Sequence, residues 1–313
     1  MRKVLIFTVF LFILAYVGLG YYFSTLILQT PPRRSTAVSH SELMKGWGYD
    51  QAALQDGLST PREVEFPSVT EGLMLRGSLY EGTDSVDCGF VMAHGITENR
   101  ANMFKYASIL EECGCDMLLY DHRGHGKSDG DQLTGGYLEG KDVLEAVKFL
   151  QKEKGLSPKQ IGLIGESWGA AAVLLAASEN NELGFVLAES TYSSWEDAIT
   201  PRAVRQFGSW VKLFTPMAFT FVEWRGGLDM DDSAPALAAA DIKIPTLLVH
   251  STADTLTTPD HSERVAEHLA PQFGKAVLLD WDAWHAHNAL ARPQEYKQML
   301  LDHFRPLGVP LCE

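Results

Sequence analysis

Positive charge is in short supply in this chain. Its 26 lysines and arginines are outnumbered by 40 aspartates and glutamates, a formal net charge of −14. A nucleic-acid binder needs a basic stripe to neutralise phosphates, so nucleic acid is excluded as a partner. The acidic excess itself means a soluble, self-repelling surface and specifies no function. Cysteine is scarce too: Cys88, Cys113, Cys115 and Cys312. None is spaced with histidines as a zinc site would be, and Cys113 and Cys115, two apart, are awkwardly placed to pair with each other. Cysteine usage therefore leaves the redox compartment open. Also missing are a dinucleotide fingerprint, an internal repeat and a true phosphate loop. Gly124-His125-Gly126-Lys127-Ser128 imitates the end of such a loop but lacks its first glycine. No cofactor and no metal is expected.

Charge is absent altogether from Val4 to Leu28. Twenty-five helical residues would cover roughly 37 Å, enough for a hydrocarbon core of about 30 Å. Arg2 and Lys3 precede the run, and Tyr21, Tyr22 and Phe23 lie where an interfacial aromatic belt would fall. The run is too long for a simple signal peptide, although Gly18 and Gly20 could serve a cleavage site. It is read as an uncleaved single-pass anchor over residues 1–30, with the body on the extracytoplasmic side. Arg33 and Arg34 offset Arg2 and Lys3, so charge favours that orientation only modestly. Residues 31–60 read as a polar tether with a short helix around Ser41–Gln55.

Residues 61–313 then form one domain. Glu63–Val69 and Leu73–Tyr80 alternate as an antiparallel hairpin should. Apolar runs at Cys88–Ala93, Met117–Tyr120, Ile161–Ile164, Phe185–Glu189, Thr246–His250 and Ala276–Trp281 read as buried strands. Between them lie helical stretches, notably Met103–Leu110, amphipathic Leu138–Lys152 and the C-terminal Pro293–Phe304. Such alternation specifies an α/β fold with a mostly parallel, doubly wound sheet. Thr191–Lys243 breaks the rhythm. It is too long for a bare loop and rich in aromatics, so it reads as a helical cap inserted over the sheet's C-terminal edge. Tyr192, Trp195, Phe207, Trp210, Phe214, Phe219, Phe221 and Trp224 would then shape an apolar substrate pocket or simply pack as extra core.

Gly165-Glu166-Ser167-Trp168-Gly169 falls between an apolar strand and a small-residue helix. A sharp strand-to-helix turn needs small residues on both sides, and it presents its central hydroxyl at the sheet edge. Ser167 is the candidate nucleophile. A serine needs a base and an orienting acid, which in this topology follow it in the order acid, then histidine. Asp254 occupies the first slot and His285 the second, with His287 as the rival base. Asp280 and Asp282 flank the histidine's own strand and are poorer acids. Oxyanion donors should be the backbone N–H of Trp168 and one from His94-Gly95-Ile96-Thr97, with Ile96 the candidate. His94 reads as a brace for that loop.

Those motifs, with Asp121-His122-Arg123-Gly124-His125-Gly126-Lys127-Ser128, make the chain resemble the α/β-hydrolase superfamily. The closest branch is serine aminopeptidase-like and monoacylglycerol-lipase-like, including membrane-anchored members. The resemblance runs from about Pro61 to Pro306. It implies an α/β-hydrolase fold, Ser167, His285 and Asp254 as a triad, Ile96 and Trp168 as oxyanion donors, and structural roles for Asp121 and Arg123. Trp168 is bulky for its place and could narrow an acyl pocket. The expected activity is hydrolysis of a carboxylic, lipid-like ester with an apolar acyl chain. Aminopeptidase or acyl-protein thioesterase chemistry would use the same residues, and a catalytically silent membrane-tethered binding protein is the reading from another class.

Overall fold

The computed structural model describes residues 1–31, 50–83, 86–309 and 311–312. Most of the expected tether, and the start of its short helix at Ser41, lie outside the described residues. Helix α1 covers Arg2–Leu28, and the short helix α2 covers Gln51–Asp56 with Asp50 as its N-cap. Strands β1 (Arg62–Pro67) and β2 (Met74–Tyr80) form the expected antiparallel hairpin. Then come β3 (Gly89–Ala93), α3 (Phe104–Leu110), β4 (Asp116–Asp121), α4 (Tyr137–Lys154) and β5 (Ile161–Glu166). They are followed by α5 (Trp168–Glu179), β6 (Phe185–Glu189), α6 (Trp195–Phe207), α7 (Thr215–Gly226) and α8 (Pro235–Ala238). The chain closes with β7 (Thr246–Ser251), α9 (Asp260–His268), β8 (Gly274–Leu279), α10 (Asn288–Ala291) and α11 (Pro293–Phe304).

Eight strands lie in one sheet in the order β1-β2-β4-β3-β5-β6-β7-β8, antiparallel at β1–β2–β4 and parallel from there on. Strand periodicity divides the core. In β3, Val91 and Ala93 face one layer, with Val143 and Val147 of α4 and Val173 of α5. Phe90 and Met92 face the other, with Tyr106 of α3 and Tyr296 and Phe304 of α11. The run Ala276–Trp281, expected as the last strand, begins and ends two residues earlier. Gly274 already pairs with Thr246, and beyond Leu279 the chain leaves the sheet to carry the histidine loop.

Two disulfides join Cys88 to Cys115 and Cys113 to Cys312. The neighbours Cys113 and Cys115 thus each pair at a distance. The first bond joins the residues leading into β3 and β4, and the second holds the C-terminal segment against the turn after α3.

The insertion is helical, built from α6, a 3-10 turn at Ser209–Leu213 and α7. Among its aromatics, Phe207, Trp210 and Phe214 face α1. Phe23 of α1 is buried among Phe207, Trp210 and Phe214, at ring separations of 5.4, 6.0 and 6.4 Å. Arg225 of α7 donates to the hydroxyls of Ser24 and Thr25 at 2.7 and 2.8 Å and stacks over Tyr21. Gly20 allows Met217 to approach where a Cβ would collide. The second half of α1 is thus a wall of the cap, and Leu28 extends the contact by accepting from the Leu133 amide. Phe23→Ala should therefore destabilise the protein by about 3 kcal/mol, the usual cost of deleting a buried ring. Thermal unfolding of the full chain in detergent would show a midpoint several degrees lower; an unchanged midpoint would mean that α1 does not pack on the cap.

Candidate active site

Ser167 sits between β5 and α5 with φ +51° and ψ −114°, a region that a residue with a side chain occupies only under strain. The turn is held tightly. A Cβ on Gly165 would run into the Gly169 carbonyl, and one on Gly169 into the Ala93 carbonyl. The serine amide is fixed by the Glu189 carbonyl at 2.8 Å. Ser167 is half-buried and lines a cavity of about 480 Å³ together with Gly95, Ile96, Leu256, Trp284 and His285.

Asp254 lies three residues beyond β7. Its Oδ2 accepts from Nδ1 of His285 at 2.6 Å, and its Oδ1 accepts from the amides of Leu256 and Thr257 at 2.9 and 3.0 Å. His250 also approaches Oδ2, at 3.2 Å. Burial alone would raise this carboxyl's pKa, but the bonds and charges of His250 and His285 outweigh it and hold the group well below the usual carboxylate range. Asp254 is therefore anionic and aligned on one imidazole. His287 is buried two residues on, with its ring against Trp284 at 5.5 Å. Asp280 and Asp282 are exposed at the loop's start.

Ile96 and Trp168 flank the serine from two sides. Among the described residues neither backbone amide donates to a protein acceptor. The Trp168 side chain packs against Tyr192 and Trp195 in the cap cluster and is not among the residues lining the cavity. His94 braces its loop: Nδ1 meets the Gly95 carbonyl at 2.7 Å, and Nε2 accepts from the His122 amide at 3.0 Å. Burial, then His122 and His125, lowers its pKa well below that of a free imidazole, so the ring is neutral. In the loop after β4, Asp121 accepts from the amides of Arg100 and Lys127, while Arg123 pairs with Asp142 at 2.7 Å.

Several residues at the site escape a sequence reading. Lys105 of α3 is fully buried, pairing with Glu166 at 2.5 Å and donating to the Ala286 carbonyl at 2.8 Å. Glu189 accepts from Tyr106, Tyr296 and both nitrogens of Asn288. Burial raises the Glu166 pKa, and Lys105 opposes that shift. The only signal in the sequence was a carboxylate at the end of each of two apolar strands. Arg202, Arg205 and Gln206 of α6 also line the cavity; neither arginine has an ion-pair partner among the described residues.

Fold and site together define a hydrolase of the strand–elbow–helix type, and the chain belongs to the α/β-hydrolase superfamily. The family model for the serine aminopeptidase S33 hydrolases matches residues 85–231, a stretch that holds Ser167 and ends before Asp254. The protein YqkD of Bacillus subtilis is 31% identical over 212 residues, covering 66% of this chain and 68% of that one. Thiohydrolase aneE of Aspergillus aculeatus is 34% identical over 131 residues, 41% of each chain. Among solved structures, the Pyrococcus furiosus esterase Pf2001 shares the fold at a TM-score of 0.66 and 23% identity, covering 88% of this chain and 98% of that one.

The depressed Asp254 pKa carries a stability consequence. An unfolded aspartate titrates near 3.9, so the native anion stabilises the fold above that pH, and this contribution is lost as pH falls toward the lower native pKa. The gap in melting temperature between wild type and Asp254→Asn should be full from pH 5 to 8 and shrink below about pH 4. A gap unchanged down to acid pH would count against the charged pair.

Proposed function

We propose that this chain is a membrane-anchored serine hydrolase that cleaves carboxylic esters through an acyl-enzyme. The observation that carries the reading is the 2.6 Å bond from His285 to Asp254 at a cavity that Ser167 also lines from a strained elbow. With Nδ1 bonded to the carboxylate, Nε2 of His285 is left to take the proton as Ser167 Oγ attacks the carbonyl carbon. The amides of Ile96 and Trp168, with the N-terminus of α5 behind them, supply an oxyanion site. His285 then protonates the leaving alcohol. Water repeats the sequence in reverse, releasing the acid and restoring the serine.

The accessible wall of the cavity is largely apolar, through Ile96, Leu256, Trp284 and Ala286, which favours an aliphatic acyl chain. Arg202 and Arg205 stand against it in a chain of net charge −14, so the preferred ester also carries a negative group beyond the scissile bond. The likeness to the thiohydrolase aneE makes thioesters the second reading. For placement, α1 is long and apolar enough to cross a membrane. Two disulfides suit an oxidising compartment, which supports a body on the extracytoplasmic side.

Two measurements test this. The full chain is assayed on p-nitrophenyl esters of graded length, acyl thioesters and aminoacyl-nitroanilides. Esters should turn over fastest, and Ser167→Ala should lose on the order of 10⁴–10⁶-fold in kcat along with fluorophosphonate labelling. Cleavage of the anilides alone would sink the ester reading, and an unlabelled wild type would favour a silent binding protein. Separately, the double variant Arg202→Gln/Arg205→Gln should lose roughly ten-fold in kcat/KM on an anionic ester, about 1.4 kcal/mol, and little on its neutral isostere. Equal losses on both would remove the charge from the substrate description.

A further inference from the structure

Helix α1 is too closely joined to the cap to cross a bilayer by itself. Its first ring to meet the cap is Tyr16, against Phe214 at 5.5 Å. From there Met217 closes on Gly20, Arg225 binds Ser24 and Thr25, and Leu28 lies beside Gly226. The two helices therefore run parallel. The cap residue that meets α1 nearest its free end is Phe214, which joins the turn Ser209–Leu213 to α7 and packs on Trp210 of that turn. Only Arg2–Ala15 project beyond it, fourteen residues or roughly 21 Å of helix. A hydrocarbon core is about 30 Å thick. Roughly 9 Å is missing, and any tilt of the helix increases the deficit.

The turn has the side chains to make up that depth. Trp210 and Leu213 are 53% and 57% exposed, with the exposed Lys212 between them. An indole suits the interface, a leucine the acyl region, and a lysine stem can lie along lipid while its ammonium reaches the headgroups. The patch is continuous with α1, because the Trp210 ring packs on Phe23.

We propose that the Ser209–Leu213 turn is immersed in the leaflet through which α1 leaves the bilayer, making the cap a second membrane contact. The occupant of this surface is lipid. The inference rests on the anchor reading of α1 above. It brings Arg202, Arg205 and Gln206, all within three turns of Trp210 along the chain, to headgroup level, so that the catalytic cavity opens toward amphiphiles in the membrane.

All four cysteines are paired, so one introduced cysteine is a unique thiol. Bimane is placed in turn at Phe10→Cys, Leu213→Cys, Trp224→Cys and Lys148→Cys of the full chain, in phosphatidylcholine vesicles with and without brominated acyl chains. Bromine should quench position 10 most, position 213 several-fold above the position 148 background, and position 224, three turns up α7, less than 213. Quenching at 10 with only background at 213 would overturn cap immersion while leaving the anchor in place. Background at both would overturn the anchor and this inference together. Background at 213 with self-quenching that grows with protein density would assign the patch to a second copy of the chain and overturn the proposal.

Discussion

One buried ammonium joins the two loops on which the site depends. Lys105 Nζ reaches Glu166, the residue before the serine, and the carbonyl of Ala286, the residue after His285. Desolvating a lysine and a glutamate is expensive, and their attraction offsets that cost only if the remaining donors are satisfied. The Glu166 carboxylate has further donors: Asn102 donates to it as well, and the Gly95 amide points at the same oxygen. The carboxylate thus gathers the strand before the elbow, the loop after β3 and, through Lys105, the histidine loop. Glu189 forms a second anchor on the next strand, binding Asn288 while its own carbonyl holds the Ser167 amide. The strain at Ser167 persists because these groups would each lose a buried partner if the turn relaxed.

The parts of this arrangement that repeat along the chain were legible in the sequence. Continuous apolar runs located β3, β5 and β7, which are buried on both faces, and glycines on both sides of Ser167 marked the turn because a Cβ at either would meet the backbone there. Order in the chain singles out Asp254 and His285 as candidates, since each follows a strand whose position the pattern sets, and the structure places the two side chains in contact. Lys105, Glu166 and Glu189 were not found. A lysine in Phe104-Lys105-Tyr106 looks like any helix-surface residue, and burial of its charge depends on contacts with Glu166 and with Ala286, the latter 181 positions away. Disulfide pairing was illegible for the same reason, since Cys113 and Cys312 are 199 residues apart.

Aromatic composition showed that the insertion is apolar but not which way its side chains face. Reading a pocket from Phe207, Trp210, Phe214 and Phe219 assumed that the cap's only partner was the sheet edge. The cap has two partners. Phe207, Trp210 and Phe214 turn to α1, Tyr192 and Trp195 pack on Trp168, and the cavity receives Arg202, Arg205 and Gln206 of α6 instead. A segment read as a span, separate from the body, therefore competes for surface that the cap would otherwise have to bury elsewhere. The arginines left facing the cavity follow from that choice.

Proximity to Asp254 does not by itself identify the base, because two histidines contact the carboxylate. His250 is fully committed: Nδ1 is bonded to Ser262 at 2.7 Å, and Nε2 is shared between Asp254 and the Thr257 carbonyl. Neither of its nitrogens has a lone pair turned to the cavity. His285 uses only Nδ1, which fixes the tautomer with its proton on that side and leaves Nε2 as the acceptor. His287 shares the cavity wall, with its ring against Trp284. The two-residue offset between the candidates is enough to separate them, because Ala286 between them takes a left-handed φ of +55° that turns the chain. Its carbonyl is held by Lys105 and its amide by Ser190. The same buried lysine that pairs with Glu166 beside the elbow thereby also holds the turn between the two imidazoles.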